Sequence, residues 1–229
     1  MLLFDIDGTL IYSGGAGTRS IDKSFKEVYG IENAMKDILP DGKTDPLIIK
    51  EVFIKKLNKN PEKQEIINIL NLYLKNLEKE IYNPKYKVFE GAKEFLEWAE
   101  KTERFLLGLQ TGNLEKGAKI KLKPSCLLRY FKFGGYASDS WERSGILKKA
   151  YERGLLIAKE ENSRINEVFV IGDTPLDIIA ARNIGFKSVG MALYNFSEED
   201  LKRAGAEYVF KDYSKLKEFF SQYTSFSEG

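Results

Sequence analysis

The sequence predicts an α/β protein: a parallel sheet whose strands alternate with helices, interrupted after its first strand by a small helical insertion. Three observations carry this. From Lys87 onward, short apolar runs of strand length alternate with segments of helical period. The first such run, Leu2–Ile6, is separated from the others by residues 14–86, which keep helical spacing and contain no convincing strand. And 229 residues that are 43% hydrophobic and 31% charged make an ordinary globular chain, long enough to bury a sizeable core.

Leu2–Ile6 reads as a fully buried strand that turns at Gly8. Gly14–Gly17 ("GGAG") reads as a hinge into the insertion. Within it Ile21, Phe25, Val28 and Tyr29 fall on one helical stripe, Ile48, Val52, Phe53 and Leu57 on a second, and Ile66, Leu70, Tyr73, Leu77 and Ile81 on a third. Asn60-Pro61-Glu62 supplies the third helix with a cap, a proline at its first position and an early acid. Beyond Lys87 a helix is expected from Gly91 to Lys101, with Phe95, Leu96, Trp98 and Ala99 on its buried side. It is followed by a strand over Arg104–Gln110, a helix over Leu114–Leu122, and a longer helix over Trp141–Lys159. Val168–Asp173 is a second buried strand ending in an acid, and the helix after it runs from Pro175 to Ile184, closed by Gly185. Strand-like "KSVGMAL", a helix near Glu198–Arg203, strand-like "EYVF", a last helix over Leu216–Tyr223 and a frayed tail, Tyr223–Gly229, complete the series. The boundaries divide the chain into a core, 1–13 with 87–229, and a helical unit, 14–86.

Charge and composition narrow the chemistry. Lys+Arg of 36 against Asp+Glu of 34 leaves a net charge of +2, too balanced to argue for nucleic acid or an anionic membrane. There is no histidine, which excludes Ser-His-Asp triads and His-ligated zinc. The single cysteine, Cys126, excludes an internal disulfide, fits a reducing, cytoplasmic setting and is expected to be a small buried hydrophobe. No apolar run approaches the roughly 20 residues of a membrane-spanning helix, and no signal peptide precedes Leu2. Metal chemistry is left to hard oxygen ligands, which suit Mg²⁺ or Ca²⁺.

Three strands end in polar residues: Asp5 and Asp7, Thr111, and Asp173. In open parallel sheets ligands bind outside the carboxyl ends of the strands, so these distant segments are expected to converge on one crevice. Carboxylates gathered there repel one another unless they share a cation, and Mg²⁺, which combines a few carboxylates with ligand phosphate oxygens, is the expected one. Taken singly, each motif has a plainer reading. Asp5 and Asp7 could cap a turn, Thr111 could be a helix N-cap, and Asp173 with Asp177 could simply complement a helix dipole.

"DIDGTL", "QTGN" and "GDTPLDI", in that order, resemble the spaced motifs of the haloacid dehalogenase-like hydrolase superfamily, and the insertion resembles the first-type helical cap of phosphoglycolate phosphatase-like members. The resemblance covers essentially the whole chain and implies a Rossmann-like core. It implies that Asp5 is the nucleophile that forms an aspartyl-phosphate, and that Asp7 protonates the leaving oxygen and then activates water. It also implies that Mg²⁺ is held by Asp5, the Asp7 carbonyl and Asp173, with Asp177 in the coordination shell or on a metal-bound water. Thr111, the Gly112 N–H and Asn113 would face the phosphoryl oxygens. The usual lysine-proline pair of the third motif is absent. Arg143, as in one subgroup, takes its place, with Lys148 as the alternative. Arg19 and Lys43, in loops of the insertion, are expected to reach the substrate. Haloacid dehalogenases proper lack an acid where Asp7 stands, so phosphoryl chemistry is favoured. The expected activity is a Mg²⁺-dependent phosphatase of a small phosphorylated metabolite such as phosphoglycolate, a sugar phosphate or a nucleotide, with a phosphomutase or a non-catalytic phosphate-binding relative as alternatives.

Overall fold

At the centre of a parallel sheet lies β1 (Leu2–Phe4), all three of its residues buried. The computed structural model describes residues 1–223, so the expected frayed tail beyond Tyr223 lies outside the described residues. The other strands are β4 (Leu107–Gln110), β5 (Phe133–Gly135), β6 (Phe169–Gly172), β7 (Lys187–Met191) and β8 (Tyr208–Phe210), in the order β5-β4-β1-β6-β7-β8 with every pair parallel. The registers Leu2↔Leu107 and Leu2↔Phe169 bring β1, β4 and β6 to end at one level. The alternation of strand side chains splits the core. Leu2 and Phe4 face α4 (Ala92–Lys101) and α9 (Tyr213–Tyr223), joining Phe95 and Phe220. Leu3 faces α6 (Arg143–Glu160) and α7 (Pro175–Asn183), joining Leu147 and Ala181. The fold is therefore α/β and Rossmann-like, as the sequence predicts.

Between β1 and β4 lie α1 (Ala16–Tyr29), α2 (Asp45–Leu57) and α3 (Lys63–Glu80), whose apolar stripes close a separate cluster around Phe25, Phe53, Ile69 and Tyr73. Ile120 of α5 (Glu115–Leu122) joins it from the core side. Two short strands, β2 (Ile11–Tyr12) and β3 (Lys87–Val88), pair antiparallel where the chain leaves and re-enters the core, Ile11 against Val88. This ribbon is too short to show as a period.

Several expectations are corrected. Helix α3 starts at Lys63 with Glu62 as its N-cap, because the Glu65 carboxylate accepts the Glu62 N–H at 3.1 Å, so Pro61 lies before the helix. Val28 is exposed, one position off the stripe that Phe25 buries. Cys126 is exposed, with φ +57°, at the entrance to the 3₁₀ turn Leu127–Tyr130. Strand β5 went unpredicted because "FGG" carries no strand propensity. A Cβ on Gly135 would overlap the carbonyl oxygen of Ile146, so the glycine is what lets α6 lie against this edge strand. Helix α8 (Glu198–Arg203) covers β7 and β8, with Leu201 buried. Among the described residues no helix is long and apolar enough to cross a membrane.

Candidate active site

Because β1, β4 and β6 are neighbours, the residues that follow them meet at one end of the sheet. The Asp5 N–H donates to Ile171 O at 2.9 Å and the Thr111 N–H to Gly135 O at 3.1 Å, so both are fixed as continuations of the ladder. They open on a cavity of about 340 Å³ lined by Asp5, Asp7, Thr111, Gly112, Asn113, Arg143 and Asp173 from the sheet side. From the helical insertion come Lys43, Asp45, Ile48 and Tyr73.

Asp5, Asp173 and Asp177 are buried, and each offers a carboxylate oxygen within 4.8 Å of the others. Burial raises the carboxyl of Asp5 above its ordinary range, against the opposing pull of Arg143, and burial together with the Asp5 charge raises Asp173 well above it. Thr9 Oγ1 donates to Asp173 Oδ1 at 3.1 Å. Gly8 has φ +78°, and a Cβ there would overlap the Asp173 carboxylate, so the turn after β1 needs glycine on both counts. Thr174 is the N-cap of α7 and Asp177 completes its capping box: Thr174 Oγ1 donates to Asp177 Oδ2 at 2.7 Å, Gln110 Nε2 donates to Asp177 Oδ1 at 3.0 Å, and Arg143 Nη2 pairs with that same Oδ1. Both of its oxygens are engaged. Asp5 and Asp173 are thus the pair available to a divalent cation, with Asp177 behind them. The carboxylate chemistry and the raised proton affinity of this group fit such an ion.

Arg143 opens α6 with a side chain 9% exposed and its Nη1 3.7 Å from Asp5 Oδ1. Its Nε is buried without a hydrogen-bond partner. Lys148, the alternative, is exposed on α6 and does not line the cavity. Five residues on a helix turn the side chain about 140° from Arg143, away from the site. Arg19 does not line it either: its Nε pairs with Glu80 at 2.6 Å and its Nη1 donates to Gly14 O at 2.7 Å, tying α1 to the end of α3. Lys43 lines the cavity, but its ammonium sits on Glu51 at 2.5 Å.

Asp7 is placed differently from Asp5. Its carboxylate lies outside the group of three and is 36% exposed, and its Oδ2 accepts from Lys121 Nζ at 2.7 Å and from Asn113 Nδ2 at 2.9 Å. Desolvation opposes its charge, but the Lys121 ammonium and the hydrogen bonds of Lys121, Asn113 and Ser13 outweigh that and hold Asp7 below the ordinary carboxylate range. Asn113 Nδ2 also donates to Thr111 Oγ1 at 2.7 Å. Lys121 escaped the sequence reading, as did Asp45 as an individual residue. Asp45 is buried, accepts the Leu114 N–H at 2.8 Å and donates its own N–H to Gly112 O at 2.8 Å. The signal for Lys121 was present: it shares the inward face of α5 with Gly117 and Ala118, and a lysine on a buried face asks for a partner.

The chain is similar to two proteins named pyrophosphatase PpaX. One, from Clostridium perfringens, is 26% identical over 194 residues, covering 83% of this chain and 82% of the relative. The other, from Caldanaerobacter subterraneus, is 27% identical over 217 residues, covering 94% and 91%. Among solved structures, a phosphatase from Clostridium acetobutylicum superposes with a TM-score of 0.71 at 23% identity, covering 96% of this chain and 97% of that one. A β-phosphoglucomutase from Bacteroides vulgatus gives 0.67 at 21%, covering 98% and 88%. These likenesses share the fold, and the family model described as haloacid dehalogenase-like hydrolase matches residues 2–191, so the chain belongs to the haloacid dehalogenase-like hydrolases.

Proposed function

We propose that this chain is a Mg²⁺-dependent phosphatase that hydrolyses a small phosphomonoester through an aspartyl-phosphate on Asp5, with residues 14–86 acting as a cap over the core of 1–13 and 87–229. The observation that carries the reading is the pairing at the end of β1: Asp5 buried beside Arg143 and Asp173, and Asp7 two residues on, anchored by Lys121 and Asn113. One carboxylate is set to act as a nucleophile in an oxyanion site and the other to handle a proton.

Asp5 and Asp173 would hold Mg²⁺, whose charge, when bound, neutralises carboxylate and phosphoryl oxygens alike. In the first half-reaction an Asp5 oxygen bonds to phosphorus as the ester P–O bond breaks, and Asp7 gives its proton to the departing alkoxide. In the second, Asp7 takes a proton from water as the water oxygen bonds to phosphorus and the P–O bond to Asp5 breaks, releasing phosphate. Asp7 begins ionised beside Lys121. A phosphoryl dianion brought next to it raises its proton affinity, which is how it arrives protonated for the first step. Arg143, whose Nε is unpartnered, is a donor for the equatorial oxygens, together with the Thr111 hydroxyl and the Gly112 N–H. The cap excludes water while the leaving group departs. A cavity of about 340 Å³ suits a small metabolite rather than a polymer or a membrane surface, consistent with a cytoplasmic enzyme.

The test is phosphate release from p-nitrophenyl phosphate and from a panel containing phosphoglycolate, sugar phosphates, nucleotides and pyrophosphate, the last because of the names its relatives carry. Turnover with Mg²⁺, its loss in EDTA, and a loss of at least about a thousandfold in Asp5→Asn are expected. A fully active Asp5→Asn chain overturns the mechanism, and a folded chain that turns over nothing in the panel overturns the activity. Release of an isomerised monoester rather than free phosphate would make it a phosphomutase.

A further inference from the structure

We infer that Lys121 is the positioning residue for Asp7: it fixes that carboxylate in the plane from which it serves the leaving group. The inference rests on the phosphatase reading and assigns a role that the motifs do not. Lys121 lies 114 residues from Asp7 in sequence, on the buried face of α5, with a side chain only 8% exposed. Burying an ammonium to that degree is costly unless it is paired. Its Nζ reaches Asp7 Oδ2 at 2.7 Å, and Asn113 Nδ2 reaches the same oxygen at 2.9 Å. These two donors on Oδ2, with the further hydrogen bond from Ser13, fix the plane of the carboxylate at the wall of the cavity Asp7 lines.

The lysine is itself held from several sides. Its carbonyl accepts the Tyr86 hydroxyl at 3.0 Å. Its ammonium faces Gly17 at the start of α1, close enough that a Cβ there would lie 3.8 Å away, with the Tyr73 hydroxyl at 4.0 Å from the same point. Asp45 of α2 supplies a second, more distant negative charge, and Asp5 a third. Lys121 is therefore a buried cation between a core acid and a carboxylate of the insertion, and its direct hydrogen-bonded partner among these acids is the one that handles the proton. A side chain there whose purpose was bulk would not be charged, and one reading substrate would not spend its short hydrogen bond on Asp7.

General acid assistance matters for an alkoxide leaving group and little for p-nitrophenolate, which departs without a proton. The experiment compares kcat/KM, which reports the first half-reaction, for glycerol 2-phosphate and p-nitrophenyl phosphate in one preparation of each variant, so that the ratio is independent of the folded fraction. Phosphoglycolate serves as an anionic alkyl control. In Lys121→Met the ratio of glycerol 2-phosphate to p-nitrophenyl phosphate is expected to fall by about ten- to a hundredfold, and phosphoglycolate should lose as much as glycerol 2-phosphate. Lys121→Arg, which keeps a buried donor, is expected to restore the ratio to within about threefold of wild type. An equal loss on all three esters makes Lys121 a structural residue and overturns the inference. A loss concentrated on phosphoglycolate makes it a contact for the substrate's anion and also overturns it. Where another alkyl ester of the panel is the better substrate it takes the place of glycerol 2-phosphate, and if the wild-type chain hydrolyses no member of the panel, it is the phosphatase reading that has failed.

Discussion

Replacing Asp45 by asparagine should make the protein more stable at neutral pH and leave it little changed in acid. Asp45 is buried among Tyr73, Leu114 and the neighbourhood of Lys121, and burial raises its carboxyl from the ordinary 3.8 to about 6 even though Lys121 pulls the other way. At 1.36 kcal/mol per pH unit, that gap is worth about 3 kcal/mol. The sign follows from which state binds the proton more tightly. The folded state does, so the contribution of Asp45 to stability is greatest below about pH 4, falls as pH rises through about 6, and is flat above about 7. Asparagine cannot ionise, and its carbonyl oxygen still accepts the Leu114 N–H. The difference between variant and wild type should therefore widen by about 3 kcal/mol between pH 4 and 7, or roughly 6–12 °C in Tm for a chain of this size. Asp5 and Asp173 titrate identically in both proteins and cancel. Urea unfolding of the pair across this range, in EDTA throughout, measures it. Curves that run parallel with pH, or a gap that opens toward acid instead, would refute the reasoning.

Three other outcomes follow from the site and its supports. Because burial raises Asp5 and Asp173, protons and Mg²⁺ compete for the same oxygens. Mg²⁺ should raise Tm more at pH 8 than at pH 5; at pH 8 and a hundred times Kd the stabilisation is about 2.7 kcal/mol, and scanning fluorimetry with Mg²⁺ against EDTA at both pH values reads the difference. Arg143→Lys should cost about ten- to a hundredfold in kcat/KM, since a point charge replaces a planar donor, whereas Lys148→Met on the outer face of α6 should leave it unchanged in the same assay. Gly135→Ala should destabilise by about 1–3 kcal/mol in urea, because the new methyl meets the Ile146 carbonyl and α6 must move.

Legibility differed by the kind of signal. Buried parallel strands such as Leu2–Phe4 and Phe169–Gly172 announce themselves by apolar runs, and their carboxyl ends give the place of the site without coordinates. Strand β5 was invisible because its glycines answer steric demands from elsewhere in the fold, Gly135 from α6 and Gly134 from Tyr136 and Leu109, which is a tertiary fact. Arg19, in the first turn of α1, and Lys43, in the loop before α2, are basic residues near the right place, and the sequence could not show that Glu80 and Glu51 already claim them. Cys126 was misjudged because the average habit of a residue type says little about one turn with φ +57°.

The two aspartates of "DID" show the same limit in the chemistry. Two residues apart on one strand end, they are equivalent by sequence, yet the fold drives them in opposite directions. Asp5 is cut off from water, so its proton affinity rises, with Arg143 as a partial counterweight. Asp7 turns to a lysine more than a hundred residues away, and its proton affinity falls. Neither direction can be read from local sequence, because burial and the charges of Lys121 on α5 and Arg143 on α6 are tertiary facts. In the proposed mechanism a bound cation would lower Asp5 again by replacing the proton, whereas an arriving phosphoryl dianion would raise Asp7. Each ligand of the proposed reaction would thus move one acid toward the protonation state its role requires, and Lys121 would keep that second adjustment from displacing Asp7 as it happens.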